Sequence, residues 1–255
     1  MNREVNIIIM RLSDKIAIVS GGGSGFGSGI VRKFAKEGAK VIVADIQIEN
    51  AKKVANTADG VAVEVDVSNS LSFKNLVSTT LKKFGKIDIM VNNAGITHTP
   101  KRMEDISEEE FDRIFSVNSK SVFLSAKYLV PLMTSYGGGN ILNIASTAGI
   151  SPRPNLSWYN ASKGWMISAT KAMAIELASK KIRVNALAPV AGETPLLKSF
   201  MGGDTPEKRE KFLSTIPIGR FSTPEDMGNA ACFLCSDEAS MITGVTLEVD
   251  GGRCI

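Results

Sequence analysis

Histidine occurs once, cysteine three times, and no apolar run approaches the roughly 18 residues that a membrane-spanning helix needs. The single His98 removes every mechanism that requires two histidines and leaves no metal site to expect. Three cysteines build no disulfide framework. Cys232 and Cys235 form a Cys-x-x-Cys, but they lie in the apolar helical pattern of Ala230 to Leu234, with no second pair and no histidine nearby. They read as helix packing in a reduced, cytoplasmic protein. Charge of one sign is scarce too: 30 Lys+Arg against 26 Asp+Glu leave +4, with no basic block to follow a phosphate backbone. A dedicated nucleic-acid binder is excluded, and no membrane partner is expected. Met1 to Met10 holds Glu4 and only Ile7-Ile8-Ile9 as an apolar run, which is not a secretory signal, so residues 1–9 read as an extension that adds little to a single domain over 10–255.

What is present is a regular alternation of β-rich and helical stretches in a chain of 255 residues. Strands are expected at 15–20, 40–44, 61–65, 87–91, 140–145, 182–187 and 245–249. Helices are expected at 25–38, 47–57, 69–84, 107–135, 157–180 and 223–236. The first, second and fourth strand runs are almost continuously apolar, as strands buried on both faces should be. Ser107-Glu108-Glu109-Glu110 is a capping box, and Thr223-Pro224-Glu225 places proline in a first helical turn. The fold expected is α/β: one Rossmann-type, doubly wound parallel sheet of seven strands flanked by helices.

The first strand runs into Ser20-Gly21-Gly22-Gly23-Ser24-Gly25-Phe26-Gly27, and a helix follows. Glycines there let the backbone approach a pyrophosphate and aim amide donors at it from a helix N-terminus. Asp45 closes the second strand, where a carboxylate can accept hydrogen bonds from the adenosine ribose. Asp66-Val67 and Asn92-Asn93-Ala94-Gly95 end the third and fourth strands. Taken singly each reads as a turn; together they trace a dinucleotide path along the carboxyl edge of a sheet.

Of three tyrosines only Tyr159 has a cation four residues on, Lys163, which a helix brings to the same face. A neighbouring positive charge lowers an acid's pKa by about 1–3 units, which moves a phenol toward acid/base work. Ser146 ends the fifth strand, where its hydroxyl could donate to a carbonyl oxygen.

With these motifs the chain from about residue 11 to 255 resembles the short-chain dehydrogenase/reductases. Their Thr-Gly-x-x-x-Gly-x-Gly stands as Ser20, Gly21, Gly25 and Gly27, with Ser for Thr, and their Asn-Asn-Ala-Gly stands at 92–95. The resemblance places the catalytic set on Asn118, Ser146, Tyr159 and Lys163. It places cofactor contacts on Gly21, Ser24, Gly25, Phe26, Gly27, Asp45, Ile46, Asp66, Val67, Asn93, Ala94, Gly95, Tyr159, Lys163, Pro189, Val190 and Thr194. The usual Pro-Gly after the sixth strand is Pro189-Val190 here, a departure in that loop.

The resemblance implies exchange of hydride between a nicotinamide and a secondary alcohol or ketone, with Tyr159 as acid/base and Ser146 orienting the reacting oxygen. Lys163 would lower the Tyr159 pKa and hold the ribose, and Asn118 would support a water relay. NAD rather than NADP is expected, because Asp45 opposes a 2′-phosphate and Ser24, Ile46 and Gln47 offer no cation. A homotetramer is implied through the helices at 107–135 and 157–180, whose extra small and apolar residues suit a second buried face. Residues 195–216 read as a substrate lid, with Leu196, Leu197, Phe200 and Met201 facing Trp158, Leu156 and Pro154. His98 and Arg153 are polar exceptions near that mouth. Arg153 reads first as a solvated loop arginine and second as a partner for a substrate carboxylate. The alternatives are a 3-oxoacyl-thioester (acyl carrier protein) reductase and a non-catalytic NAD-binding protein. A hydrolase built on Ser146 lacks a positioned base.

Overall fold

The computed structural model describes residues 10–255; the extension expected over residues 1–9 lies outside them. Seven strands, β1 (Ile16–Ser20), β2 (Lys40–Asp45), β3 (Val61–Glu64), β4 (Ile89–Asn92), β5 (Gly139–Ile144), β6 (Ile182–Pro189) and β7 (Thr246–Val249), form one sheet in the order β3-β2-β1-β4-β5-β6-β7. Every neighbouring pair is parallel. The chain steps outward from β1 to β3, then returns to β4 on the other side of β1. The crossovers therefore diverge above β1 and β4, which opens a crevice at the carboxyl ends of those strands.

Alternation along the strands divides the core into two layers. Ala17, Val19, Val41, Val43, Ile89 and Val91 pack toward helices α1 (Gly25–Lys36), α2 (Ile48–Thr57) and α9 (Pro224–Cys235). Ile18, Ile42, Ala44 and Met90 pack toward α3 (Ser70–Phe84), α5 (Ser121–Ser135) and α6 (Ser157–Leu177). Burying each large aliphatic side chain is worth roughly 1.5–3 kcal/mol, so these continuous apolar runs fix the strands inside the helical layers. Cys232 and Cys235 lie buried on α9, and burial pushes both thiols up, Cys235 to about 12.

α1 and α9 touch through glycine. A Cβ on Gly29 would stand 2.0 Å from the Pro224 carbonyl oxygen, and one on Gly228 would stand 2.8 Å from the Gly29 carbonyl oxygen. α9 starts on the capping box Thr223–Asp226 with Pro224 in its first turn, and Ser107–Glu110 caps α4 (Glu108–Phe115) in the same way.

The single helix expected over 107–135 is instead α4, a π-helical turn over Ser116–Lys120, and α5. The helix expected to reach residue 180 gives way to a 3-10 turn at Ala178–Lys180. β6 runs on to Pro189, which pairs with Val249, so this proline closes the strand rather than following it. The segment after β6 carries two short helices, α7 (Leu197–Met201) and α8 (Pro206–Leu213).

Candidate active site

The turn after β1 is held from β4. Ser20 Oγ donates to the Val91 carbonyl (3.2 Å) and accepts from the amides of Asn93 (3.1 Å) and Ala94 (3.2 Å). Asn93 Nδ2 donates to the carbonyls of Ser20 (2.9 Å) and Gly21 (3.0 Å). Ser20 thus needs only its hydroxyl, which explains why serine serves where the resemblance has threonine. Gly21 and Gly25 have left-handed backbones, φ +62° and +51°, which favour glycine. A Cβ on Gly27 would stand 2.1 Å from the Gly21 carbonyl oxygen, so α1 meets the turn at a distance only glycine permits. Ser24, the extended N-cap of α1, makes no side-chain cap bond, so it does not occupy the first-turn amides that an anion uses.

Asp45 is half-buried at the end of β2. Its Oδ2 accepts from the Gly23 amide (2.9 Å) and its Oδ1 from the Gln47 amide (2.9 Å), which fixes the carboxylate beside the glycine turn. A cleft of about 540 Å³ runs from there to Tyr159. The turn lines it with Gly21, Ser24, Gly25 and Phe26; β2 and β3 add Asp45, Ile46, Asp66 and Val67. The end of β4 adds Asn93, Ala94 and Gly95, and the far end holds Tyr159, Lys163, Pro189 and Thr194. These residues suit a dinucleotide in glycine-backed approach, donor set and length.

Two expected contacts fall elsewhere. Gly27 backs the turn from behind, and Val190 packs in an apolar cluster with Leu197, Met201, Ile216 and Phe221. Arg113, Ser116 and Val117 line the cleft without having been foreseen; they come from α4 and the π turn, whose existence the apolar period does not reveal.

Ser146, Tyr159 and Lys163 are each no more than 5% exposed. Ser146 Oγ accepts from the Ala148 amide (3.1 Å), which leaves its hydrogen to donate. Lys163 Nζ donates to the Ile144 carbonyl (2.8 Å) and lies 6.0 Å from the Tyr159 ring centre. Burial lowers the Lys163 pKa to about 8. Burial raises that of Tyr159, with the Ser146 hydroxyl pulling the other way. The expected lowering of Tyr159 by Lys163 is not found in the chain as it stands: desolvation prevails, and the opposing pull comes from Ser146.

Asn118 sits in the π turn. Its Oδ1 accepts from the Ile96 amide (2.9 Å), and its Nδ2 donates to the Ile96 carbonyl (2.9 Å) and Ser162 Oγ (3.0 Å). A Cβ on Gly95 would lie 3.4 Å from both Asn118 Oδ1 and Lys163 Nζ, so both side chains approach that glycine.

The family described as Enoyl-(Acyl carrier protein) reductase matches residues 21–253. The 4-formylbenzenesulfonate dehydrogenase of Comamonas testosteroni is 46% identical over 252 residues, covering 96% of this chain and 100% of its own. The chain belongs to the short-chain dehydrogenase/reductase family. A second member of these oxidoreductases, the 3-oxoacyl-[acyl-carrier-protein] reductase of Thermotoga maritima, is 40% identical, with 96% of this chain and 100% of its own covered. The crystal structure of a 3-ketoacyl-(acyl-carrier-protein) reductase from Brucella melitensis, complexed with NADH, superimposes with a TM-score of 0.91 at 51% identity, covering 96% of this chain and 100% of that one.

In this short-chain dehydrogenase/reductase the lid side chains diverge from the expected arrangement. Phe200 alone meets Leu156 and Tyr159, its ring edge-on to Tyr159 at 5.6 Å. Leu197 and Met201 turn into the Val190 cluster, and Leu196 lines the cleft. Trp158 stacks edge-on with Phe111 at 5.4 Å and donates Nε1 to the Met103 carbonyl, away from the lid, while Pro154 is exposed. His98 is buried, with Nδ1 hydrogen-bonded to the Thr99 carbonyl at 2.8 Å. Among the described residues one trio of potential metal ligands comes together, Glu248, Asp250 and Cys254. Asp250 there accepts from the Gly252 and Cys254 amides, and burial with Asp250 beside it pushes the Cys254 thiol up to about 11.

Proposed function

We propose that the protein is an NAD(H)-dependent oxidoreductase that interconverts a secondary alcohol and a ketone. The carrying observation is the continuity of one cleft from the Asp45 carboxylate to the buried Tyr159 and Lys163. A bound nicotinamide supplies the hydride chemistry. Tyr159 Oη gives its proton to the substrate oxygen in reduction and takes it back in oxidation. Ser146 Oγ, its lone pair held by Ala148, donates to the same oxygen. The Lys163 ammonium favours the phenolate form of Tyr159 against the cost of burial. Asn118 ties the Ile96 segment to α6 and, through its place opposite Lys163, supports proton delivery from that side. The sites of Gly27 and Val190 act behind this surface.

Asp45 favours NAD(H). A 2′-phosphate 4 Å from its carboxylate meets a repulsion on the order of 4 kcal/mol at an effective dielectric of 20, before screening. The half-buried lid over 195–216 would cover the substrate, and exposed Phe123 and Trp165, which share a shallow groove on α5 and α6, support a homotetramer. Light scattering that returns the 27.2 kDa monomer mass at micromolar concentration overturns the tetramer. The buried thiols of Cys232 and Cys235 suit a reduced, cytoplasmic setting.

Tyr159→Phe keeps the ring and removes the proton, so turnover should fall by roughly 10²–10⁴ while NADH affinity stays within a factor of about two. Undiminished turnover overturns the reading, and a wild-type protein that binds NADH but reduces no carbonyl of a broad panel supports the non-catalytic alternative. A second reading, a 3-oxoacyl-thioester reductase, draws on the Thermotoga and Brucella relatives. Preference for an acetoacetyl thioester over simple ketones in the same panel would favour it.

A further inference from the structure

Two arginines near the lid have donors with nothing to donate to. Arg153 lies in the loop between Ser146 and α6, its carbonyl held by Asn160 Nδ2 at 2.8 Å. Its Nη2 is buried and has no hydrogen-bond partner among the described residues; neither has the buried Nε of Arg253, in the turn after β7. Among the described residues Arg153 forms no salt bridge. Burial first, then the Arg253 charge, lowers its pKa to about 10, with the Cys254 thiol pulling the other way, so it is a cation at neutral pH. Buried charged donors are ordinarily paired, and an orphaned one calls for an explanation.

The guanidinium is also oriented. It lies over the face of Phe212, 4.3 Å from the ring centre, and 5.8 Å from that of Phe200. Phe200 in turn stands edge-on to Tyr159 at 5.6 Å. Stacking occupies the flat face of a guanidinium and leaves the in-plane N–H fork free, which is the edge that matches an oxyanion bidentately. The Phe200 ring alone lies between the guanidinium and the Tyr159 ring, so a ligand bridging the two would run beside it.

We propose that Arg153, supported by Arg253, is an oxyanion subsite, and that the substrate is an oxo or hydroxy compound carrying a carboxylate or sulfonate about one aromatic ring away from the reacting carbon. This rests on the reading of Tyr159 as the acid/base. The competing account makes Arg153 a latch that holds α7 and α8 through their phenylalanines. A latch uses only the stacked face; it explains neither the unpartnered donors nor the second arginine beside them.

The test compares 4-acetylbenzoate with its methyl ester, which has the same ketone and no charge. Calorimetric titration into the NAD⁺-bound protein, which cannot reduce the ketone, should show the acid binding at least tenfold tighter than the ester, with the advantage shrinking as salt rises. Arg153→Gln should remove that advantage and leave ester binding unchanged; Arg153→Lys should restore part of it, and Arg253→Gln should lower it about threefold. In turnover the loss should appear in KM for the acid and not in kcat. Equal binding of acid and ester by the wild type overturns the subsite. So does an Arg153→Gln variant that weakens both ligands alike, the pattern of a latch whose loss loosens α7 and α8. The reading of Tyr159 fails separately: if the acid binds through Arg153 but neither compound is ever reduced, the anion subsite stands and the assigned chemistry falls.

Discussion

The glycine turn and the lid lie on either side of Tyr159 and are built by opposite means. The turn is fixed by backbone: Ser20 and Asn93 stitch it to β4 through hydrogen bonds of 2.9–3.2 Å, and Gly27 packs against it at a distance no other residue allows. The lid is fixed by side chains, with Leu197 and Met201 in one apolar cluster, Phe200 in another, and Arg209 paired at the surface with Asp204 and Glu193. Backbone geometry tolerates few residue types, whereas a side-chain cluster tolerates any set of similar volume. The half proposed to receive the cofactor is thus rigidly specified, and the half proposed to cover the substrate is free to vary.

The comparison breaks most sharply if the same substitution acts alike in both halves. Gly27→Ala drives a methyl group into the Gly21 carbonyl, so NADH affinity should fall at least about a hundredfold by fluorescence titration, since a turn moved away from its donors loses the whole anion cradle. Retained affinity would mean that the turn can yield, contrary to its bonding.

Asp45→Ala tests how far the carboxylate alone sets the choice of cofactor. It removes the proposed ribose acceptor and the like charge together, so NADH affinity should drop about tenfold while NADPH gains relative to it by ten- to hundredfold, after screening. Titration of both variants with both cofactors decides; wild-type protein that prefers NADPH sinks the assignment.

Lys163 sharpens the contrast from the stability side. Its pKa is lowered from 10.5 to about 8 by burial, so between those values the unfolded chain holds a proton that the folded chain has released. Stability therefore rises with pH through that window, and below pH 8 the full cost of the buried charge is present. Lys163→Met removes the cost and should raise the thermal midpoint at pH 7 by about 2–4 °C, the Ile144 carbonyl giving some of it back. Calorimetry should find the gain much smaller near pH 10.5. A variant less stable than wild type at pH 7 contradicts the assigned burial cost.

Gly202→Ala places the smallest change in the lid. Gly202 has φ +67°, and a Cβ would meet Pro100 Cδ at 3.2 Å, so the strain should cost about 1–2 kcal/mol in denaturant unfolding. NADH affinity should stay within twofold, against the hundredfold loss at Gly27.

The same division governs what could be read without coordinates. Short β-rich runs between helical stretches located all seven strands, and Ser107 and Thr223 announced the starts of α4 and α9 through cap chemistry written in adjacent residues. The glycine spacing and Asp45 marked the cleft because backbone approach and ribose binding each demand a residue type at a fixed offset. The π turn at 116–120 was illegible: it changes which carbonyl each amide chooses, not which residues are apolar, so Arg113 and Val117 entered the cleft unannounced. Lid side chains were misplaced for a related reason. Leu197 and Phe200 are equally apolar, and only the packed positions of Val190 and Tyr159 decide which of them faces the reacting oxygen. Arg153 looked like a solvated loop residue because Phe212, the ring that holds it, lies far along the chain.

The crossing of Gly29 with Pro224 and Gly228 gives the chain an order of completion. The glycine turn precedes by about 200 residues the surface against which α1 rests. Until α9 leaves the ribosome, the bare glycine face of α1 has no neighbour, and Ile30, Val31 and Phe34 lack the Met227 and Ala231 side of their core. The glycine turn and the helix it opens therefore acquire their full packing only once α9 is in place.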